Sequence, residues 1–206
     1  MNKFELALSD KLGSFNFTKI QSIKVGIAGA GGLGSNCAFN LVRSGFKRFK
    51  IIDFDYIDYS NLNRQFYFYD QVGMHKVVAL KQNLLRINPD IYGEFIAEHI
   101  EAETISEIFG DCDVVVEAFD KPEYKRLFVE RLMGTGKFLV CVSGLAGWGD
   151  SDSIIVRRVK NNIVMIGDLV SDFKHAVPIS PKVNVAAAKQ ADVILEYVLR
   201  EPLKSL

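Results

Sequence analysis

Between residues 53 and 76 the chain gathers Asp53, Asp55, Asn61, Arg64, Gln65 and Lys76, many carboxylates, amides and cations for a stretch that follows an apparent β-strand. Arg64 offers a planar fork of donors suited to phosphate oxygens and Lys76 a compact charge, while Asn61 and Gln65 add neutral donors and acceptors on the same loop. Cations beside a nucleotide favour phosphoryl or nucleotidyl transfer, because they meet the negative charge that develops at phosphorus. Taken singly, Arg64 or Lys76 reads first as an ordinary surface charge. The interleaved aromatics Phe54, Tyr56, Tyr59, Phe66, Tyr67, Phe68 and Tyr69 carry too much apolar area for a solvated loop, so this segment is expected to pack on the fold or on a second subunit.

Upstream, Gly29-Ala30-Gly31-Gly32-Leu33-Gly34 satisfies G-x-G-x-x-G between an apolar run, residues 23–28, and a helical pattern over 32–45. Glycines let the backbone turn tightly and approach a phosphate, whose charge meets free N–H groups at the positive end of the helix. Asp53 ends the next strand a little over ~20 residues on, where a carboxylate can accept from ribose hydroxyls. Together they propose an adenine nucleotide. The alternative is a turn that only packs strand against helix. A nicotinamide-dependent oxidoreductase would use the glycines and Asp53, with no need of Asn61, Arg64 or Gln65.

The rest of the chain must position these groups. Strands are expected at 23–28, 49–54, 91–100, 113–119 and 137–144, and helices at 32–45, 74–87, 103–110 and 122–133. That alternation predicts an α/β, Rossmann-like doubly wound sheet, mostly parallel, with helices on both faces. Residues 151–159 and 162–168 read as strands joined at Asn161-Asn162, which would extend the sheet in antiparallel fashion. A last helix is expected after Pro181 and before Pro202. Residues 55–71 show no period and read as a functional loop, and residues 1–22 read as a mixed segment. We expect one domain over residues 1–206.

The chain has 25 basic and 25 acidic residues, which removes the broad electrostatic case for nucleic acid or an anionic membrane as partner. Cys37, Cys112 and Cys141 form no C-x-x-C pair and read as buried structural thiols, and His75, His99 and His175 lack ligand spacing. Residues 1–10 lack the apolar core of a signal peptide, so a cytoplasmic, soluble protein is expected.

GAGGLGSN, then DFDYIDYSNLNRQF, GMHK at 73–76 and EAFD at 117–120 resemble, in order and spacing, the ThiF/MoeB/HesA superfamily, kin to the adenylation domain of ubiquitin-activating enzymes. The short length, INPD, SGLAG, Gly167-Asp168 and a last helix carrying A-x-x-Q-A look most like the compact ThiF type of thiamine biosynthesis. The resemblance covers roughly residues 22–200. It implies an adenylyltransferase that uses ATP and Mg²⁺ to activate the C-terminal Gly-Gly carboxylate of a small ubiquitin-like sulfur carrier, working as a homodimer. It also implies that Asp53 holds the ribose, that the turn glycines and Asp55 belong to the nucleotide site, that Asn61, Arg64, Gln65 and Lys76 surround the phosphates, and that Asp120 helps hold Mg²⁺. Asp120 before Pro122 also fits a helix N-cap, the lesser reading and one that does not exclude a metal ligand. An N-terminal arginine that many relatives direct to the neighbouring subunit's ATP has no counterpart, since the first arginine is Arg43; Lys11 and Lys19 are the available cations. Residues 144–149, with Trp148, read either as a guide for a flexible tail or as a simple turn. Other acceptors, a molybdopterin carrier, a peptide or a modified tRNA base, and an idle scaffold for a ubiquitin-like partner stay open.

Overall fold

The computed structural model describes residues 1–101, 103–119, 122–171 and 176–200. Asp120, Lys121, His175 and Pro202 lie outside the described residues. Helices α1 (Lys3–Leu12) and α2 (Ser14–Ser22) open the chain and lead into β1 (Lys24–Ala28), α3 (Gly32–Arg43) and β2 (Arg48–Ile52). Then come α4 (Lys76–Leu85), β3 (Tyr92–Ile96), α5 (Ile105–Ile108), β4 (Val114–Glu117), α6 (Pro122–Leu132) and β5 (Phe138–Val142). A hairpin of β6 (Ile155–Lys160) and β7 (Ile163–Gly167) precedes the long α7 (Ser180–Arg200).

These strands form one sheet in the order β3-β2-β1-β4-β5-β7-β6, the doubly wound arrangement expected from the alternation. All pairs are parallel except β6 with β7. The hairpin is inverted relative to its chain order: β7 lies inside against β5, and β6 forms the antiparallel outer edge. β4 and β5 are buried at every position, as a parallel strand covered on both faces must be. Their branched residues alternate between two cores. Val114, Val116, Phe138 and Val140 face α3, α4 and α7, while Val115 and Leu139 meet Phe109, Phe128 and Leu132.

The mixed N-terminal segment is the largest departure from expectation. It is helical, and α1 buries Glu5, whose carboxylate accepts from Gln21 at 3.0 Å and Asn88 at 3.3 Å. Its apolar stripe, Phe4, Leu8 and Leu12, is short and only half-buried, and the residue α1 buries fully is a carboxylate, so the helical period is weak in the sequence. The strand expected at 91–100 ends at Ile96, leaving residues 97–100 as a loop, and residues 151–153 form a 3₁₀ turn ahead of β6. The last helix begins at Ser180, taking Pro181 into its first turn, where a missing N–H costs nothing. Residues 55–71, expected to be irregular, hold two short 3₁₀ turns, Tyr59–Asn61 and Tyr69–Gln71. Among the described residues no helix is long and apolar enough to cross a membrane.

Candidate functional site

The glycine turn follows β1 at the C-terminal edge of the sheet, where doubly wound folds bind ligands. Gly29 adopts φ 105°, in the region that favours glycine, and a Cβ there would sit 2.7 Å from the Ala118 carbonyl of the neighbouring strand end. A Cβ on Gly34 would come within 1.9 Å of the Gly29 carbonyl, so α3 can rise directly off the turn only with glycine there. Gly31 caps α3 without a side chain, leaving the first N–H groups of the helix at its positive end.

The polar loop is bonded to this turn. Ser35 Oγ donates to the Gly31 carbonyl at 2.7 Å and accepts from the Phe66 N–H at 3.0 Å. Asn36 Nδ2 donates to the Gly32 carbonyl at 2.7 Å and to the Arg64 carbonyl at 2.8 Å. Buried Tyr67 donates its hydroxyl to the Ala30 carbonyl at 2.6 Å. The loop's other end is fixed by Gln71 and Asn83, which bond each other and the Phe68 N–H and Phe66 carbonyl. The packing expected of the aromatic segment holds for Tyr67, which is buried, and Phe66, which is half-buried against the core; Phe54, Tyr56, Tyr59, Phe68 and Tyr69 stay exposed.

Asp53 accepts from the Ala30 N–H at 2.6 Å through one oxygen and from the Asp55 N–H at 2.8 Å through the other, joining the end of β2 to the turn. Each oxygen keeps a lone pair for a ribose hydroxyl. Burial raises the Asp53 pKa above its ordinary value, and the Lys76 charge and the two N–H bonds oppose that rise. Lys76 is 6 % exposed, starts α4 and pairs with Asp55 at 2.5 Å.

Gly29, Gly31, Asp53, Asp55 and Lys76 line a cavity of about 270 Å³. Its remaining walls are Ile52, Phe54, Glu98, His99, Ile100, Ala118, Phe119 and Tyr124. Phe54 and His99 have ring centroids 4.7 Å apart and His99 and Tyr124 6.0 Å, so one side is aromatic and suited to stacking a base. Arg64, Gln65 and Gly32 lie beside this cavity rather than in its wall. The Arg64 stem passes 3.4 Å from the position a Cβ on Gly32 would take, and the Gln65 amide nitrogen lies 3.9 Å from that of Gly31. The Arg64 guanidinium rests on its own loop, donating to Asn63 Oδ1 at 2.8 Å and the Ser60 carbonyl at 3.2 Å. Asn61 caps the 3₁₀ turn, its Oδ1 accepting from the Asp58 N–H at 3.0 Å. Gly34 is buried inside the turn and does not line this cavity.

A nucleotide fits this set. The aromatic wall can stack a base, Asp53 can accept from ribose hydroxyls, and Lys76 in the wall, with Arg64 and the uncapped start of α3 beside it, offers positive charge to phosphate; the buried Gln65 Oε1, an acceptor with no partner in the structure, calls for a donor such as a hydroxyl. Asp120, expected to help hold Mg²⁺, lies outside the described residues, and among those described no group of three His, Cys, Asp or Glu side chains converges; Mg²⁺ beside phosphates is usually held by one or two carboxylates, so this leaves the expectation where it stood. Of the cations considered for a neighbouring subunit's nucleotide, Lys19 is buried and donates to the Leu199 carbonyl at 3.2 Å, which holds it inside the fold. The three cysteines are buried, and burial raises all three thiol pKa values, that of Cys112 to about 12.

Residues 144–149 follow β5 and pack beside Asp168. Gly144 leaves no room for a Cβ against Asp168, whose carboxylate accepts from the Ser171 N–H at 2.7 Å, the Val170 N–H at 2.9 Å and Lys182 at 3.4 Å. Trp148 is 76 % exposed on this ledge. The nearby Pro178 carbonyl accepts from Asn63 at 3.3 Å, which brings the segment after the ledge to the polar loop.

The model of the ThiF family matches residues 5–201. The chain belongs to the ThiF family. Relatives include SUMO-activating enzyme subunit 2 of Dictyostelium discoideum, 38% identical over 148 residues, which cover 70% of this chain and 22% of that protein. Adenylyltransferase and sulfurtransferase UBA4 of Lodderomyces elongisporus is 35% identical over 141 residues, 68% of this chain and 31% of that protein. This ThiF-family chain thus spans 22% to 31% of the length of these two relatives. Among solved structures, the tRNA N6-threonylcarbamoyladenosine dehydratase TcdA of E. coli in complex with AMP superposes with a TM-score of 0.83 at 18% identity, over 94% of this chain and 93% of that one. E. coli MccB with MccA-N7isoASN gives 0.74 at 24% identity, over 92% and 61%. These likenesses show that the ThiF-family fold is shared.

Proposed function

We propose that this ThiF-family chain is an ATP-dependent adenylyltransferase that activates the C-terminal glycine carboxylate of a small ubiquitin-like carrier protein. In its specific form we read the acceptor as a ThiS-like sulfur carrier of thiamine biosynthesis and the protein as a cytoplasmic homodimer. One observation carries the reading: the loop bearing Arg64 and Gln65 is hydrogen-bonded to the glycine turn, with Lys76 in the wall of the adjoining cavity. The family and the cationic loop favour this over the nicotinamide alternative, which uses neither Arg64 nor Lys76.

In the proposed reaction adenine enters the aromatic cavity, the ribose lies at Asp53, and the phosphates cross the start of α3 toward Arg64. A carboxylate oxygen of the acceptor attacks the α-phosphorus in line. The bond to the bridging oxygen of pyrophosphate breaks, its electron pair leaves with pyrophosphate, and an acyl adenylate remains. A carboxylate is already a nucleophile, so no general base is needed; orientation and charge neutralisation carry the rate. Lys76 must exchange Asp55 for phosphate, and Arg64 must swing from two exposed hydrogen bonds, a small cost. Mg²⁺ would neutralise phosphate charge, and Asp120 is the residue we propose for it. The exposed ledge at Trp148 offers the acceptor tail a way in.

ATP–pyrophosphate exchange tests this directly. Exchange that appears only with a carrier ending in Gly-Gly supports the reading, and its absence with every such carrier of the source organism contradicts it. A second reading, a modified tRNA base as acceptor, is favoured by the match to TcdA over nearly the whole of both chains, and opposed by the even charge balance. Exchange supported by tRNA and by no carrier would favour it.

A further inference from the structure

Building on the adenylation reading, we propose that Tyr67 is a positioning residue: its hydroxyl locks the peptide between Ala30 and Gly31 so that the Gly31 N–H faces the nucleotide phosphates. The Tyr67 hydroxyl donates to the Ala30 carbonyl at 2.6 Å from a side chain that is 6 % exposed. In a planar trans peptide the carbonyl and the following N–H point to opposite sides. Holding the Ala30 carbonyl toward Tyr67 therefore turns the Gly31 N–H the other way, and Gly31 lines the cavity whereas Tyr67 does not.

The neighbouring peptides are held in the same sense. Asp53 takes the Ala30 N–H at 2.6 Å, Ser35 Oγ donates to the Gly31 carbonyl at 2.7 Å, and Asn36 to the Gly32 carbonyl at 2.7 Å. Three successive carbonyls thus accept from side chains on the protein side, and the N–H groups are left to the open side at the positive end of α3. A latch is needed at this peptide because Gly31 has no Cβ to oppose a flip. A flipped Ala30 carbonyl would present a negative dipole to phosphate. Burial, reinforced by the charges of Asp53 and Asp55, raises the phenol pKa well above its usual value, so Tyr67 remains a donor.

Tyr67→Phe removes one oxygen and keeps the ring. Calorimetric titration with ATP and with adenosine separates a phosphate effect from damage to the base pocket. The expected result is an ATP Kd raised about tenfold, the scale of one hydrogen bond, with the adenosine Kd changed less than about twofold. An unchanged ATP Kd, or equal losses for both ligands, overturns the proposal. A second measurement needs no variant: in ¹⁵N-labelled wild-type protein the Gly31 amide resonance should move on titration with ATP and stay with adenosine. Wild-type protein that binds ATP while the Gly31 amide stays fixed overturns the role of Tyr67 alone. Wild-type protein that binds no ATP overturns the adenylation reading as well.

Discussion

Replacing Lys125 by methionine would strand a buried carboxylate beneath the nucleotide cavity. Glu117, at the end of β4, is 0 % exposed and accepts from Lys125 at 2.9 and 3.2 Å, from the Phe119 N–H at 2.7 Å and from the Val142 N–H at 3.4 Å. Lys125 also donates to the Val142 carbonyl at 3.2 Å, so one ion pair ties α6, β5 and the strand end that carries cavity residues Ala118 and Phe119. Removing one partner of a buried pair costs about 3–5 kcal/mol, and a lysine side chain that is 21 % exposed belongs at the lower end, about 3 kcal/mol. For a chain of this size that lowers Tm by about 6–12 °C.

The loss should depend on pH. Burial already raises the Glu117 pKa, with Lys125 and the N–H donors opposing. Losing Lys125 raises it further. A carboxyl whose folded pKa lies above its unfolded value loses stability as pH climbs from the unfolded to the folded pKa, and the variant, with the higher folded pKa, goes on losing it to a higher pH than wild type. The Lys125→Met deficit is therefore largest at neutral pH and shrinks as pH falls into the ordinary carboxylate range. Calorimetric unfolding across that span reads it, and Glu117→Gln with Lys125→Met should recover at least half of the lost Tm. A deficit below about 0.5 kcal/mol at neutral pH, the level of an ordinary surface change, would refute the reasoning.

Gly34→Ala should shift the turn, because its methyl would meet the Gly29 carbonyl; we expect a lower Tm and ATP affinity reduced at least about tenfold by calorimetry. Arg64→Ala and Lys76→Met should each lower the ATP–pyrophosphate exchange rate by about a hundredfold while leaving adenosine affinity within about twofold, the pattern of groups that act on developing charge. Asp168, held down to about 2 from 3.8 by its N–H and hydroxyl donors and Lys182 against the upward pull of burial, stabilises the fold above its unfolded pKa and loses that contribution as pH falls toward about 2. Wild type and Asp168→Asn should therefore converge in Tm as pH drops through that interval.

The strands and the glycine turn were legible because their signals are local: a branched apolar run such as residues 24–28, a glycine pair, a carboxylate one strand later. The cationic loop was legible through residue type, since Arg64, Gln65 and Lys76 have little use in redox binding. Contacts between distant segments were not. Glu98, His99 and Tyr124 reach the cavity from the loop after β3 and from α6, and nothing in their own neighbourhoods marks them. The pairing of Tyr67 with Ala30 spans 37 positions, and the tyrosine reads in sequence as one more loop aromatic. Ser35 and Asn36, read as part of a motif, bond the loop to the turn. Asn61 has a local role the sequence did not mark: its oxygen caps a 3₁₀ turn, which leaves its amide N–H groups as the donors for the expected phosphate contact. The hairpin's order in the sheet was hidden because adjacent strands specify pairing with each other, while burial decides which of them meets β5: β6 is exposed at every position and β7 is buried at all but one.

The most direct test of the central claim follows the oxygen atoms. A Gly-Gly carrier labelled with heavy oxygen in its terminal carboxylate is incubated with the protein and ATP, the acyl adenylate is cleaved with hydroxylamine, and AMP and pyrophosphate are examined by mass spectrometry. Attack of that carboxylate on the α-phosphorus predicts one heavy oxygen in AMP and none in pyrophosphate. Unlabelled AMP, or label in pyrophosphate, would contradict it.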